Sequence, residues 1–288
     1  MQHKPAISIV TPVLNGADYI ERLILSVQAQ SFQNWEHLIV DGGSADRTID
    51  IVNSMYADDA RLTIIERPGA GIYASVMEGI RLSRGQIIGW QNADDLYTPW
   101  AFATVDAFQK RTSANWFTGL PGCWDESNQL RFVRPYGWYP RTLIRNGWFH
   151  AELLGFIQQE SIFFTKGAFE ALSDSERASV SQASLAGDFI LWKRLARTQQ
   201  LVVLPTVVSG FRRHRHNLSH ANYAQYMEEV RSDGAMILPR QLAAICRRAF
   251  QIVSSVGALE RVEMEDQILN RDFQLDLKTK SVRPDDTA

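Results

Sequence analysis

Cysteine is nearly missing from this chain: Cys123 and Cys246 are the only two in 288 residues. A single disulfide or a metal pair is open to them, and free thiols in a reducing compartment are the expectation. No apolar run approaches about 18 residues, so no membrane-spanning helix is indicated. A strand-like run begins by Ala6 without a signal-peptide pattern, which points to a cytoplasmic location. Charge of one sign is also lacking. The formal net charge is −2, and no global field argues for nucleic acid as a partner. The fingerprint G-x-G-x-x-G does not follow the first strand-like run; Pro12-Val13-Leu14-Asn15-Gly16 stands there, which excludes a dinucleotide oxidoreductase. The glycine-rich loop with Arg and Lys usual in nucleotidyltransferases is absent from the same place, and there is no internal repeat.

What remains is ordinary globular composition, 45% apolar and 22% charged, with length for a large core in one or two domains. The first 115 residues alternate apolar strand runs with helical periodicity. Strands are expected at 7–10, 36–40, 62–66 and 86–90. Ile20, Leu23, Ile24 and Val27 follow the i, i+3, i+4, i+7 pattern of a helix packed on a sheet. Ser44 is the expected N-cap of a helix carrying Ile49, Val52 and Met55, with Asp46 in its first turn. Further helices are expected over 72–83 and from near Pro99. Repeated β-α-β units with continuous apolar strands predict an α/β fold: a Rossmann-like, mostly parallel central sheet with helices on both faces.

Ligands of such sheets bind beyond the C-terminal strand ends. There the chain places Thr11 to Gly16, Asp41-Gly42-Gly43-Ser44, Arg67-Pro68-Gly69-Ala70-Gly71 and Asn92-Ala93-Asp94-Asp95. The last turn ends the apolar run Ile87 to Trp90 in two carboxylates and a carboxamide. Unpaired carboxylates cost several kcal/mol to desolvate. The turn is therefore either a solvated loop or a site for a hard cation such as Mg²⁺ or Mn²⁺, which brings a phosphate with it.

The second half is less regular. Residues 116–150 are rich in tryptophan and contain Tyr136 and Tyr139; they either line a sugar site or fill a core. Strands are expected at 161–165 and 207–211. Gly187 to Trp192 opens a helix with Asp188 in its first turn. Residues 222–260 read as mainly helical, and the tail from Lys278 as disordered.

Taken together, these pieces resemble a family 2 glycosyltransferase with the GT-A fold, from about Ile7 to Ser219. The motifs are Ile9 to Gly16, Val40 to Asp46, Asn92 to Asp95 and Gly187 to Trp192, in the family's order. Gln158-Gln159-Glu160-Ser161 and Phe211-Arg212-Arg213-His214 with Ser219 also fit the pattern of bacterial members. The resemblance implies an inverting, hexosyltransferase-type enzyme of polysaccharide biosynthesis. Its donor would be a nucleotide-diphosphate sugar, a UDP-sugar by expectation, and its acceptor a glycan or a lipid-linked hydroxyl. It implies residues 1–220 as the GT-A domain, with 1–115 binding the nucleotide sugar and 116–220 facing the acceptor. Residues 221–277 would be a C-terminal helical region and 278–288 a tail.

The resemblance also assigns roles. Thr11, Pro12, Asn15 and Gly69 would shape the nucleotide pocket. Asp41 would accept a hydrogen bond from the uracil imide, although capping of the glycine turn is its local alternative. Asp94, with Asp95 and His214, would hold Mn²⁺ or Mg²⁺ at the diphosphate. Arg212 would contact that diphosphate, on the same strand face as His214; a solvated basic cluster is the alternative. Asp188 would be the catalytic base, rather than only a carboxylate favoured by the helix dipole. Glu160 and Trp192 are expected on the acceptor side. Three positions depart from the family pattern: Asn92 replaces the first aspartate of D-x-D, and Ala74 and Met77 stand where relatives often carry Asp and Asn. These departures leave the donor sugar open. They also leave open a nucleotide-sugar-binding module that has lost catalysis.

Finally, Leu242, Ile245, Cys246, Ala249, Phe250 and Val253 recur at helical spacing beside Arg240, Arg247 and Arg248. Such a stripe either packs on the catalytic domain or lies on an anionic membrane at its inner face.

Overall fold

The computed structural model describes residues 4–57, 59–127, 129–134, 137–214 and 222–254. A strand buried on both faces has no polar side to show. β1 (Ile7–Val13) and β2 (Trp35–Asp41) accordingly bury every residue. β3 (Leu62–Glu66) lies at the sheet edge and stays half exposed. Helices α1 (Ile20–Gln28), α2 (Thr48–Met55) and α3 (Ile72–Leu82) connect these strands and β4 (Ile87–Trp90). Then come β5 (Leu96–Tyr97), α4 (Ala101–Thr112), β6 (Trp116–Thr118), β7 (Gly122–Trp124), β8 (Leu130–Val133) and α5 (Arg141–Arg145). A 3₁₀ turn at Gln159–Ser161 leads into β9 (Ile162–Thr165), α6 (Lys166–Glu170), α7 (Asp174–Ser181) and α8 (Gly187–Leu195). β10 (Val202–Val203), β11 (Ser209–Arg212) and the helix Tyr223–Ser232 follow, and residues 240–254 are helical.

The main sheet has the order β10-β6-β9-β4-β1-β2-β3 and is parallel except for β9. Val13 pairs with Asp41, and Asp41 with Glu66, so three strands release their loops at one level. A second sheet, β5-β11-β7-β8, leans on the first and carries Arg212 to the same edge. Alternation along each strand divides the core in two. Ile7 and Ile9 face α1, α2 and α4, whereas Val10 faces α3 and α8.

The expected α/β fold and its mostly parallel sheet are present. Several local expectations differ. α2 starts at Thr48, not at Ser44, because the Ser44 hydroxyl donates to Asp41 at 2.6 Å and accepts from the Asn15 amide at 2.9 Å. Arg47 stands at the N-cap without a side-chain cap, and Asp46 before it accepts from the Thr48 amide at 3.0 Å. Within the mainly helical C-terminal region the chain turns between 232 and 240, where Gly234 has φ +78°. Met227 and Val230 join the main core, so the helical region is not a separate body. Both cysteines are free thiols. No helix among the described residues is long and apolar enough to cross a membrane. Arg215, His216, Ser219, residues 255–260 and the tail 278–288 lie outside the described residues.

Candidate active site

The loops after β1 and β2 are tied together by side chains. Asn15, with φ +52°, accepts from the Ala45 amide at 2.8 Å. Asp41, buried beneath, accepts from the Gly43 amide at 3.1 Å, the Ser44 amide at 3.0 Å and the Ser44 hydroxyl at 2.6 Å. Both of its oxygens thus shape the glycine turn. Pro12 is buried as well. Thr11 has no exposed surface; its hydroxyl meets His37 Nε2 at 2.9 Å, and His37 Nδ1 meets the Tyr56 hydroxyl at 2.7 Å. Thr11 supports the pocket floor from within the sheet and does not line the pocket. Gly69, with φ +76°, donates to Gly42 O at 3.0 Å and faces open space.

The acidic turn is braced on three sides. Trp90 Nε1 donates to Asn92 Oδ1 at 3.1 Å, and Asn92 Nδ2 donates to Gln159 Oε1 at 3.3 Å. A carboxylate at 92 could accept the first bond but could not donate the second. The loss of the family's first aspartate therefore has a local structural reason. Asp94 keeps some exposure, and its Oδ2 lies 2.8 Å from His214 Nε2. His214 stacks on Tyr19 with ring centroids 4.3 Å apart, and the Arg212 guanidinium lies 5.1 Å from the same ring. Arg212 ends β11; past it Arg213 is exposed and lies over the Phe132 ring, whereas the His214 side chain is buried against Asp94. Arg212 is itself buried: its backbone amide donates to Asp95 Oδ1 at 2.8 Å and its Nε to Asp94 O at 2.6 Å.

Asp95 corrects one expectation. It has no exposed surface, and burial, then Asp94 and Glu160, push its carboxyl well above the usual range. With no exposed surface and one oxygen bonded to the Arg212 amide, Asp95 braces β11. Asp94 and His214 are the pair that fits a divalent ion. Among the described residues no group of three or more His, Cys, Asp or Glu side chains could hold one. One or two protein ligands completed by substrate phosphates is a usual arrangement for Mg²⁺, and Mn²⁺ accepts the same carboxylate and imidazole donors. The site fits the ion on those terms.

Glu160 and Asp188 reach the same edge from the 3₁₀ turn and from the start of α8. Burial raises both carboxyls, Asp188 to about 6. Asp188 and Asp94 each add to the rise at Glu160, so the carboxylates share one field. Glu160 Oε2 has no hydrogen-bond partner. The Asp188 Oδ1 accepts from the Phe189 amide at 2.7 Å. Beside it, the Tyr73 hydroxyl donates to Leu185 O at 2.8 Å.

Trp192 is the second correction. It is buried and stacks on Trp116 at 5.8 Å, so it belongs to the core and not to the acceptor side. One helical turn past Asp188, the chain has already descended below the site. Met77 is likewise a core residue, and Ala74 is half-buried. Tyr19 and Tyr73 are not singled out in the sequence; Gln159 stands within Gln158-Gln159-Glu160-Ser161 but has no role of its own there.

A parallel sheet with an acidic turn after its fourth strand, a basic strand opposite and a carboxylate at a helix start defines the GT-A class of fold. The chain matches the profile of glycosyl transferase family 2 over residues 8–168, and it belongs to that family. Chondroitin synthase of Pasteurella multocida is 32% identical over 95 residues, covering 33% of this chain and 10% of that protein. An uncharacterised glycosyltransferase of Rickettsia typhi is 37% identical over 97 residues, covering 34% of this chain and 30% of that protein. Less than a third of either relative is therefore matched. Among solved structures, S. aureus TarS 1–349 with UDP-GlcNAc superposes with a TM-score of 0.57 at 13% identity, over 85% of this chain and 71% of that one. A Pyrobaculum calidifontis mannosyltransferase with GDP-Man and Mn²⁺ gives 0.54 at 16% identity, over 96% and 81%. Identities that low establish the fold alone.

Proposed function

We propose that the protein is an inverting glycosyltransferase that moves a sugar from a UDP-sugar to a hydroxyl of a glycan or lipid-linked acceptor. One observation carries this reading. A single sheet edge holds the Asp94–His214 pair at 2.8 Å and, separately, an Asp188 carboxyl raised to about 6. The loops bearing Asn15, Asp41 and Gly69 hold the nucleotide. Asp94 and His214 would hold Mn²⁺ or Mg²⁺. The chemistry such an ion supplies is neutralisation of charge on the departing diphosphate. Tyr19 and Arg212 keep that pair in place. Asp188 takes the proton of the attacking hydroxyl; a carboxyl raised toward neutrality is a better base than one near 4 and is still ionised at pH 7. Glu160 orients the acceptor. Attack opposite the diphosphate inverts the anomeric centre.

The uridine preference rests on Asp41 and on the UDP-GlcNAc carried by one structural neighbour; the GDP-Man carried by the other makes guanosine the competing donor. The acceptor class follows relatives named for chondroitin and hyaluronan, and a lipid-linked acceptor would be met at the inner membrane face. The test is a thermal-shift series with UDP, UDP-GlcNAc, GDP and GDP-Man, with Mn²⁺ or EDTA. A ligand that binds only the folded state raises its melting temperature. The expected result is the largest shift with UDP or UDP-GlcNAc, lost in EDTA. Equal shifts for all four, indifferent to metal, would overturn the reading.

A further inference from the structure

α8 begins without a side-chain cap of its own. The amides before it point instead at one carboxylate from the C-terminal helix. Glu229 Oε2 accepts from Ser184 N at 3.1 Å, Leu185 N at 3.0 Å and Ala186 N at 3.0 Å. Three successive amides around one oxygen form an anion-binding nest. The other side of the same segment is held by the Tyr73 hydroxyl on Leu185 O at 2.8 Å. The grip is reciprocal. Lys193 of α8 lies 2.8 Å from Asp233 Oδ2 and donates to the carbonyls of Asp233 and Gly234, where the Tyr223–Ser232 helix ends. Arg194 donates to the Asp233 carboxylate as well. Each helix thus closes an end of the other, and Asp188 stands two residues after the last amide that Glu229 holds.

We propose that Glu229 is a positioning residue for Asp188: it fixes the 184–186 segment and adds negative charge beside the base. The inference rests on the reading of Asp188 given above. The ionisable groups facing Asp188 are Tyr73 from α3, Glu160 through its field, and Tyr226 and Glu229 from the Tyr223–Ser232 helix. Of these, Glu229 raises the Asp188 carboxyl by charge, in addition to burial.

The test uses the full chain and two variants. Glu229→Gln keeps an oxygen for the amides and removes the charge; Glu229→Ala removes both. Hydrogen exchange at residues 184–186 should quicken about tenfold or more in Glu229→Ala, as loss of a charge-assisted bond allows, and much less in Glu229→Gln. The Asp188 carboxyl, followed by ¹³C NMR and assigned with Asp188→Asn, should titrate at lower pH in Glu229→Gln than in the natural protein. Should Glu229→Ala fail to fold, Glu229→Gln and its titration still decide. Unchanged exchange in a folded Glu229→Ala, or an unmoved Asp188 titration in Glu229→Gln, overturns the inference. Neither readout needs an acceptor. Sugar transfer surviving in Asp188→Asn would instead sink the assignment of the base and leave these two measurements untouched.

Discussion

The two halves of the site are built on opposite principles. The nucleotide half, from β1 to β4, joins level parallel strand ends whose loops saturate one another: Asn15 with Ala45, Asp41 with Gly43 and Ser44, Asp46 with Thr48. Its loop side chains are hydrogen-bonded within one loop or to the neighbouring one, 2 to 30 residues away. The acceptor half draws on the distant segments 159–161, 187–188 and 229. It leaves Glu160 Oε2 without a partner and holds Asp188 above its usual range. The first half is a preformed receptor, and the second stores unsatisfied charge for chemistry. Binding and catalysis should therefore separate by mutation.

The sharpest break is Asp188→Asn. Loss of a general base typically lowers the rate about 10²- to 10⁴-fold. UDP titration should be unaffected, because Asp188 is held by the Phe189 amide at the start of α8, apart from the loops bearing Asn15, Asp41 and Gly69. The pH profile follows from the same carboxyl. The base works ionised, so transfer should fall as pH drops through about 6, and that limb should vanish with Asp188. The sign for stability is opposite. A carboxyl raised in the folded state contributes most below its usual 3.8, and that contribution fades as pH rises to about 6. Weakened UDP binding in Asp188→Asn would mean the halves are not separate.

Asp94→Asn should do the reverse. It should weaken Mn²⁺-dependent UDP binding by about 1.5–3 kcal/mol, the worth of a charged contact, while binding in EDTA stays as in the natural protein. Isothermal titration in both buffers would measure it.

Arg212→Ala should act through the loop it braces, raising the UDP dissociation constant several-fold. Lys110→Ala is the proper control, since Lys110 is exposed and pairs only with Asp106 within its own helix. Lys166 is unsuitable: it starts α6, but its ammonium also caps α3 through Ile80 O, Arg81 O and Ser83 O. Equal titrations for Arg212→Ala and Lys110→Ala would show that the brace does not matter to the donor.

The smallest effect concerns the helix at 240–254. Its expected apolar stripe splits. Phe250 turns inward onto Trp138 and Phe149, whereas Leu242, Ile245, Ile252 and Val253 face outward. Arg247 is tied to Leu153 O and Glu152 O, which leaves Arg240 and Arg248 beside the outer face. Co-sedimentation with anionic liposomes should be weak and lost at high salt, and should fall further in Ile245→Glu, at a site 65% exposed. Truncation before Asn222 is a poor comparison because it removes Met227 and Val230 from the core. Pelleting unchanged by Ile245→Glu would dispose of membrane contact through this face.

The mostly parallel sheet, the runs of its first four strands and the turns that release the site loops could be read from the chain alone, but not the order of those strands in the sheet. Continuous apolar runs and i, i+3, i+4 spacing are local properties, and strand ends follow from them. Motif order pointed to Asp94, Asp188, Arg212 and His214 as residues of one site, and the fold brings them to one edge. The second sheet escaped notice because β5 and β7 are two and three residues long, too short for alternation to register. Asp95 and Trp192 were misplaced because adjacency in sequence says nothing of depth: the next residue along a turn, or the next turn of a helix, can lie wholly inside. Glu229 could not be seen at all. Its three amide partners lie more than forty residues away, and a nest of backbone donors has no sequence signature. Such pairings arise from the docking of two helices in three dimensions, where burial, rather than neighbourhood along the chain, sets which charge meets which dipole.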